Sequence, residues 1–277
     1  MYEGFYSLQQ KPFAITSNPS FLYLSQRHKE ALSHLTYGIR ERVGFIEITG
    51  EVGTGKTTIC RALLNQFDDR TKSAFIFNSN LTELQLMQTI VEDLGIRTDK
   101  KGKGGLFSEL NRFLIEQLSQ HNNVVLIIDE AQNLSNKMLE QVRMLSNLEA
   151  GNHKLLQIVL VGQPELRDKL KLPSLRQLRQ RIAVRCHIEA LSYEDVTLYI
   201  AHRLKLAGAN GSGPAFDNEA FQEIFKYSGG IPRLINMLCD KALLTGYVLE
   251  KRSIDGDIIR QCIREIEGGP SDHEHHQ

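Results

Sequence analysis

Gly50-Glu51-Val52-Gly53-Thr54-Gly55-Lys56-Thr57 fills every fixed position of the pattern G-x-x-x-x-G-K-[ST]. The apolar run Phe45 to Thr49 leads into it and the helix-period stretch Thr58 to Phe67 leads out, which is the strand-loop-helix context the pattern requires. Glycines let a backbone curl until its N–H groups surround phosphate oxygens, and a helix N-terminus adds the positive end of its dipole. Gly50, Glu51, Val52, Gly53, Thr54, Gly55, Lys56, Thr57 and Thr58 are therefore the expected nucleotide contacts. Lys56 is expected to neutralise the β and γ oxygens of ATP, and Thr57 to coordinate magnesium. The competing reading is a glycine-rich turn that holds no ligand.

Working outward, Val124-Val125-Leu126-Ile127-Ile128-Asp129-Glu130 reads as a buried strand ending in two carboxylates, where an α/β sheet presents its carboxyl edge to ligands. Asp129 is expected to share the magnesium with Thr57. Glu130, turned the other way by strand alternation, is expected to polarise the water that attacks the γ-phosphate. Such an ending also reads as a helix cap when taken alone; the phosphate loop beside it selects the catalytic reading.

A later run, Leu155 to Val161, ends in Gly162-Gln163-Pro164-Glu165. Where that strand lies between the other two in space, Gln163 becomes a polar sensor of the attacking water; otherwise it is a turn residue before Pro164. The arginine-rich stretch Arg176 to Arg185 follows, and Arg181 is its candidate for a finger reaching the ATP of a neighbouring subunit. Solvated surface and a nucleic-acid-binding ridge are the alternatives there. Ser228-Gly229-Gly230-Ile231-Pro232-Arg233 puts a cation at the first turn of a helix, against the dipole. Arg233 is therefore expected to contact the γ-phosphate, with an ordinary surface ion pair as the alternative.

Five short apolar, β-branched runs alternate with helical periods: Phe45 to Thr49, Ser73 to Asn78, Val124 to Asp129, Leu155 to Val161 and Ala183 to Ile188. They predict an α/β fold, a five-stranded parallel sheet with helices on both faces. Thr82 and Ser135 are predicted to cap helices within this part. After Leu191 the strands stop, and Ser192, Asp217, Pro232 and Asp255 open successive helices. The expected organisation is a lead-in, 1–24, packed on the core; an α/β core, 25–190; an all-helical lid, 191–268; and a disordered tail, 269–277.

The 277 residues carry 33 Lys plus Arg against 33 Asp plus Glu, so no global field selects nucleic acid or an anionic membrane. Cys60, Cys186, Cys239 and Cys262 are scattered without ligand spacing and read as buried thiols in a reducing compartment, not a zinc site or disulfide framework. The start lacks a signal-peptide pattern and the longest apolar runs are too short to span a bilayer, so a cytoplasmic location is expected, with membrane association only through a partner. Thr98 to Gly105 reads as a mobile loop whose lysines are solvated, and His273, His275 and His276 as tail residues that fix no metal.

With these elements in order, the sequence resembles the AAA+ ATPases, and more closely the branch formed by the ATPase modules of general secretion pathway protein A and its relatives in pilus biogenesis. Pro12-Phe13, Phe21 to Ser25, Gly50 to Thr58, Leu126 to Leu134, Gly162 to Leu166 and Gly229 to Asn236 carry the likeness, which covers nearly the whole chain. It implies a nucleotide held between core and lid with adenine near the lead-in, oligomers, and Lys56, Thr57, Asp129, Glu130, Gln163, Arg181 and Arg233 in the roles given above. It also implies partners in a type II secretion or pilus machine. Proteins of that branch often continue into a transmembrane helix and a peptidoglycan-binding domain; this sequence ends at Gln277 with neither, so a stand-alone cytoplasmic motor or switch is the expectation. The rival is a DNA-binding adaptor like the transposition-regulator ATPases, which share this type of core. A P-loop kinase of a small molecule fits less well, because Asp129-Glu130 supplies a base for water.

Overall fold

The computed structural model describes residues 1–14, 21–77, 81–151, 153–209 and 213–268. The chain divides into two compact units, one of residues 26–51 and 55–188, the other of residues 1–25, 52–54 and those from Glu189 onward.

The first unit holds the five predicted strands: β1 (Phe45–Gly50), β2 (Thr71–Ile76), β3 (Asn123–Ile128), β4 (Gln157–Gly162) and β5 (Ile182–Ile188). They form one sheet in the order β2-β3-β4-β1-β5, with every neighbouring pair parallel. Burial explains the order. β1 and β4 are buried at every residue and β3 at all but its first, as strands covered on both faces must be. β5 alternates, with Ile182, Cys186 and Ile188 buried and Ala183, Arg185 and His187 exposed, which suits an edge.

One face of the sheet, with Leu126, Ile128, Ile158 and Leu160, shares a core with helices Glu83–Asp93, Lys103–Ser119, Asn136–Leu145 and Pro164–Leu170. On the opposite face Gly38 of helix Gln26–Arg40 comes so close that a Cβ there would lie 3.0 Å from Ile46 Cδ1 and 3.3 Å from Val184 Cγ2. Thr82 and Ser135 cap their helices as predicted, Thr82 through a full capping box with Gln85. The four cysteines are all buried.

The mobile loop expected over 98–105 is corrected. Lys103 begins helix Lys103–Ser119, and its ammonium bonds Glu83 and Gln141 while Lys100 bonds Glu109. The glycines weaken the helix signal at its start; Leu106, Leu110 and Leu114 supply the buried stripe that overrides them.

In the second unit, helices Tyr193–Leu206, Asn218–Ser228, Pro232–Val248 and Gly256–Ile266 begin where predicted, with Ser192, Asp217 and Asp255 accepting capping bonds. It is not all-helical. Ala215–Phe216 pairs in parallel with Ser253–Ile254, a ladder too short to show a period in sequence.

The lead-in also departs from expectation, since its described residues group with this unit and not with the α/β core. Tyr2, Tyr6, Phe13 and Phe21 are buried in one cluster with Tyr199, Leu238 and Ile259. The buried Arg203 donates from Nε to the Pro12 carbonyl at 2.5 Å and from Nη1 to Tyr199 Oη at 2.8 Å, with its guanidinium over the Phe21 ring at 5.0 Å. Asn18, Pro19, Asn78 and the tail with His273, His275 and His276 lie outside the described residues. Among the described residues no helix is long and apolar enough to cross a membrane.

Candidate active site at the carboxyl edge of the sheet

Placing β4 between β1 and β3 brings three strand ends together. Thr49 is level with Gly162, and Leu160 with Ile128, so the phosphate loop, Gln163 and Asp129 leave one edge of the sheet side by side.

The loop has the conformation its glycines allow. Gly53 and Gly55 have φ of 84° and 100°, a region closed to most side chains, and Lys56 begins helix Lys56–Leu64 immediately after. Lys56 is only 5% exposed, and its ammonium donates to the carbonyls of Gly50 at 2.8 Å and Glu51 at 2.9 Å. Burial lowers its pKa against the opposing pull of Glu130, Asp129, Glu51 and Glu165. A buried ammonium held on two loop carbonyls at a helix N-terminus is the arrangement that suits a phosphate group.

Thr57 Oγ1 donates to Asp129 Oδ2 at 2.8 Å, joining the first turn of the loop helix to the end of β3. Asp129 is 4% exposed, and its other oxygen accepts the Glu130 amide at 2.9 Å. A hydroxyl and a carboxylate at the foot of a phosphate loop form the oxygen donor set that suits magnesium.

Glu130 is aimed by a device different from the one expected. The strand ends at Ile128, and Glu130 has φ 51° and ψ 37°, a left-handed residue that opens the short 3-10 turn Ala131–Asn133. Strand alternation therefore does not set its direction; a strained backbone does, and for residues other than glycine such strain gathers at functional positions. Glu130 Oε2 accepts from Gln132 Nε2 at 2.5 Å and from Gln163 Nε2 at 3.2 Å. Gln132 Oε1 in turn accepts the Gln163 amide at 3.1 Å. The structure thus brings Gln163 to Glu130. Gln132, between them, had no role in the sequence reading; its one signal is its place two residues beyond the acidic pair.

Arg181 lies apart from this cluster. Its Nη1 donates to Ser146 Oγ at 2.8 Å and to Asn147 Oδ1, so the side chain is engaged at the end of helix Asn136–Leu145. Arg233 belongs to the second unit with the loop crest 52–54, where its backbone amide donates to the Gly53 carbonyl at 3.3 Å. A Cβ on Gly53 would lie 2.6 Å from that of Arg233, so only glycine permits this approach.

The order of the parallel sheet, with the strand that leads into Gln163 placed between the strands that lead into the phosphate loop and into Asp129-Glu130, is the AAA+ form of the P-loop nucleotide-binding fold. A family model described as an AAA domain matches residues 39–170. The fold likeness extends to Cdc6p from Pyrobaculum aerophilum, at 17% identity and a TM-score of 0.69 over 91% of this chain and 71% of that one. The Aeropyrum pernix ORC2 protein, solved as ADPNP-ADP complexes, matches at 16% identity and 0.65 over 93% and 72%. Among individual proteins, the chain is similar to general secretion pathway protein A of Aeromonas hydrophila, 46% identical over 260 residues. That match takes in 93% of this chain and 47% of the relative, so the chain spans about half the length of the curated relative it matches.

Proposed function

We propose that this chain is a magnesium-dependent ATPase whose turnover serves a secretion or pilus machine of the bacterial envelope. The observation that carries the hydrolytic reading is the Glu130 carboxylate, held by two glutamine amides beside the Thr57–Asp129 pair. The similarity to general secretion pathway protein A supports the envelope half.

In this reading the backbone amides of 50–58 and the Lys56 ammonium bind and orient the triphosphate. Thr57 and Asp129 would hold a magnesium ion, which supplies charge neutralisation on the phosphate oxygens. Glu130 takes a proton from water as the water oxygen bonds to the γ-phosphorus. The γ-phosphorus to bridging-oxygen bond breaks, its electron pair stays on ADP, and inorganic phosphate leaves. Gln163 and Gln132 hold Glu130 in line with that attack, because each donates an N–H and leaves the carboxylate to act as acceptor. Arg233 keeps the role assigned from its sequence position, a contact to the γ-phosphate. The finger reaching a neighbouring subunit comes from the arginine stretch; Arg181 remains its assigned member, provided oligomer formation releases it from Ser146 and Asn147. The chain works on the cytoplasmic side and self-associates when nucleotide is bound.

Two variants test the reading. Lys56→Ala should abolish nucleotide binding, measured by calorimetry. Glu130→Gln should bind ATP normally and turn it over at least roughly a hundred-fold more slowly; unchanged turnover would remove Glu130 from the mechanism. Turnover stimulated by DNA, with binding that weakens steeply as salt rises, would replace the envelope role with a nucleic-acid one.

A further inference from the structure

On the sheet face that carries Glu47 and Thr49, the margin between β1 and edge strand β5 carries a polar cluster that the hydrolytic reading does not use. Glu47, in the middle of the interior strand β1, is 1% exposed. A lone carboxylate there would cost several kcal/mol, so it must be paired. Arg185 of β5 supplies one partner, Nε to Oε2 at 3.1 Å, and Arg167 the other, Nε to Oε1 at 3.6 Å. Arg167 also donates from Nη2 to Thr49 Oγ1 at 3.1 Å. Thr49 is fully buried and directly precedes Gly50, where the phosphate loop begins.

Arg167 sits one turn beyond Gln163, the residue that precedes helix Pro164–Leu170. Two turns of helix with Leu166 and Leu170 as buried anchors make a small apolar contact, which fixes distance from the sheet better than position along it. Polar contacts at both sides supply the missing constraint. Lys169 donates to the carbonyls of Gln132 at 2.8 Å and Leu134 at 2.5 Å, tying the helix to the turn after Glu130. Arg167 ties the same helix to β1 by its hydrogen bond to Thr49 and by an ion pair to Glu47, whose Oε1 accepts no hydrogen bond.

We infer that Arg167 is a positioning residue for hydrolysis: it sets the helix that follows Gln163 in register with the strand feeding the phosphate loop, so that Gln163 and Gln132 hold Glu130 where the loop presents the γ-phosphate. The Gln163 to Glu130 bond of 3.2 Å tolerates little displacement, because a shift of about 1 Å takes it outside hydrogen-bond range.

This inference rests on the proposed ATPase reading for its kinetic arm, and a second arm needs no nucleotide. In isotope-labelled protein, Arg167→Met and Thr49→Val should each move the side-chain amide resonances of Gln163 and Gln132. Thr49→Val removes the hydroxyl that accepts from Arg167, and with it the contact to His187 Nδ1 at 3.1 Å, while keeping the branched shape of the side chain. Arg185→Met, which takes away the other partner of Glu47, should leave those resonances in place. Kinetically, Arg167→Met should lower kcat at least roughly ten-fold with ATP affinity within about two-fold of the parent, as expected when orientation and not binding is lost. Combining it with Gln163→Ala should cost no more than Gln163→Ala alone. Unmoved amide resonances in Arg167→Met and Thr49→Val overturn the inference whether or not the parent hydrolyses ATP. Multiplying kinetic losses in the double variant overturn it too, whereas an inactive parent counts against the ATPase reading alone.

Discussion

Thr57 Oγ1 and Asp129 Oδ2 are 2.8 Å apart although 72 residues separate them in sequence. The contact ties the phosphate-loop helix to the strand that ends in the acidic pair, and it preassembles two oxygen donors on one side of a would-be cation. Thr57→Ala and Asp129→Asn should therefore each raise the magnesium concentration needed to support nucleotide binding by roughly 10- to 100-fold. Magnesium titrations at fixed nucleotide, followed by calorimetry, provide the measurement. A variant that needs no more magnesium than the parent would place the metal elsewhere.

Gly162 is confined by the glutamine that holds Glu130. A Cβ there would sit 2.7 Å from Gln132 Oε1 and 2.9 Å from Leu166 Cδ2. Gly162→Ala should push Gln132 off its partners, costing roughly 1–3 kcal/mol of stability and lowering turnover while ATP affinity persists. Parallel denaturant melts and single-turnover assays separate the two effects; full activity in a folded variant would show that Gln132 is not needed to hold Glu130.

His187 gives the site's margin a pH dependence. Its Nδ1 lies 3.1 Å from Thr49 Oγ1; although the residue as a whole is exposed, partial desolvation of the ring, then the Arg167 guanidinium, depress the imidazole pKa, with Lys56 adding to the depression and Glu51 and Glu47 opposing it. A depressed folded-state pKa means that the unfolded chain binds the proton more readily. The contribution of His187 to stability is then present above the ordinary value of roughly 6.5 and is lost as pH falls through the folded-state value. Following the imidazole resonance through a pH titration should give a midpoint below that of an unfolded peptide. In Arg167→Met the midpoint should rise, because one depressing charge is gone; an unchanged midpoint would mean that Arg167 does not act on this ring.

Arg203 anchors the lead-in by donating to the Pro12 and Tyr199 oxygens from a buried position. Arg203→Ala would strand those acceptors and remove a cation from the Phe21 ring. A loss of about 2–4 kcal/mol in the helical unit is expected, seen as faster amide exchange in residues 1–14 and in helix Tyr193–Leu206. Exchange that quickens nowhere in the lead-in would leave its apolar residues as the whole anchor.

Much of this site is legible in sequence because its chemistry is local. Gly53, Gly55, Lys56 and Thr57 are fixed by a contiguous pattern, and Asp129 by the end of an apolar run, so each can be placed before any tertiary contact is known. Gln163 needed one topological fact, the insertion of β4 between β1 and β3, which the resemblance anticipates and the sheet order shows. Arg167 is silent in sequence because its partner Thr49 lies 118 residues away, and Gln132, although two residues from Glu130, meets its other partner Gln163 only through the fold. The same cause misplaced the lead-in: Tyr2, Tyr6 and Phe13 advertise burial, but their composition does not say against which unit. Lys103 failed for a different reason, since glycine-rich composition outweighed a leucine stripe that begins only three residues later.

The central seat of β4 has a consequence for biogenesis. During synthesis the phosphate loop and the acidic pair emerge first, yet they belong to strands that touch each other only through a segment made later. A nascent chain halted before Gln157 has two halves of a pocket joined by side-chain contacts such as Thr57 to Asp129, but without the strand that joins them in the sheet, so nucleotide has a poorly formed site through which to stabilise it by mass action. Long-range parallel pairing of this kind forms slowly and leaves apolar strand edges uncovered meanwhile. Ribosome-stalled intermediates of that length should be chaperone clients, and competence for ATP should appear abruptly once the fourth strand has cleared the exit tunnel.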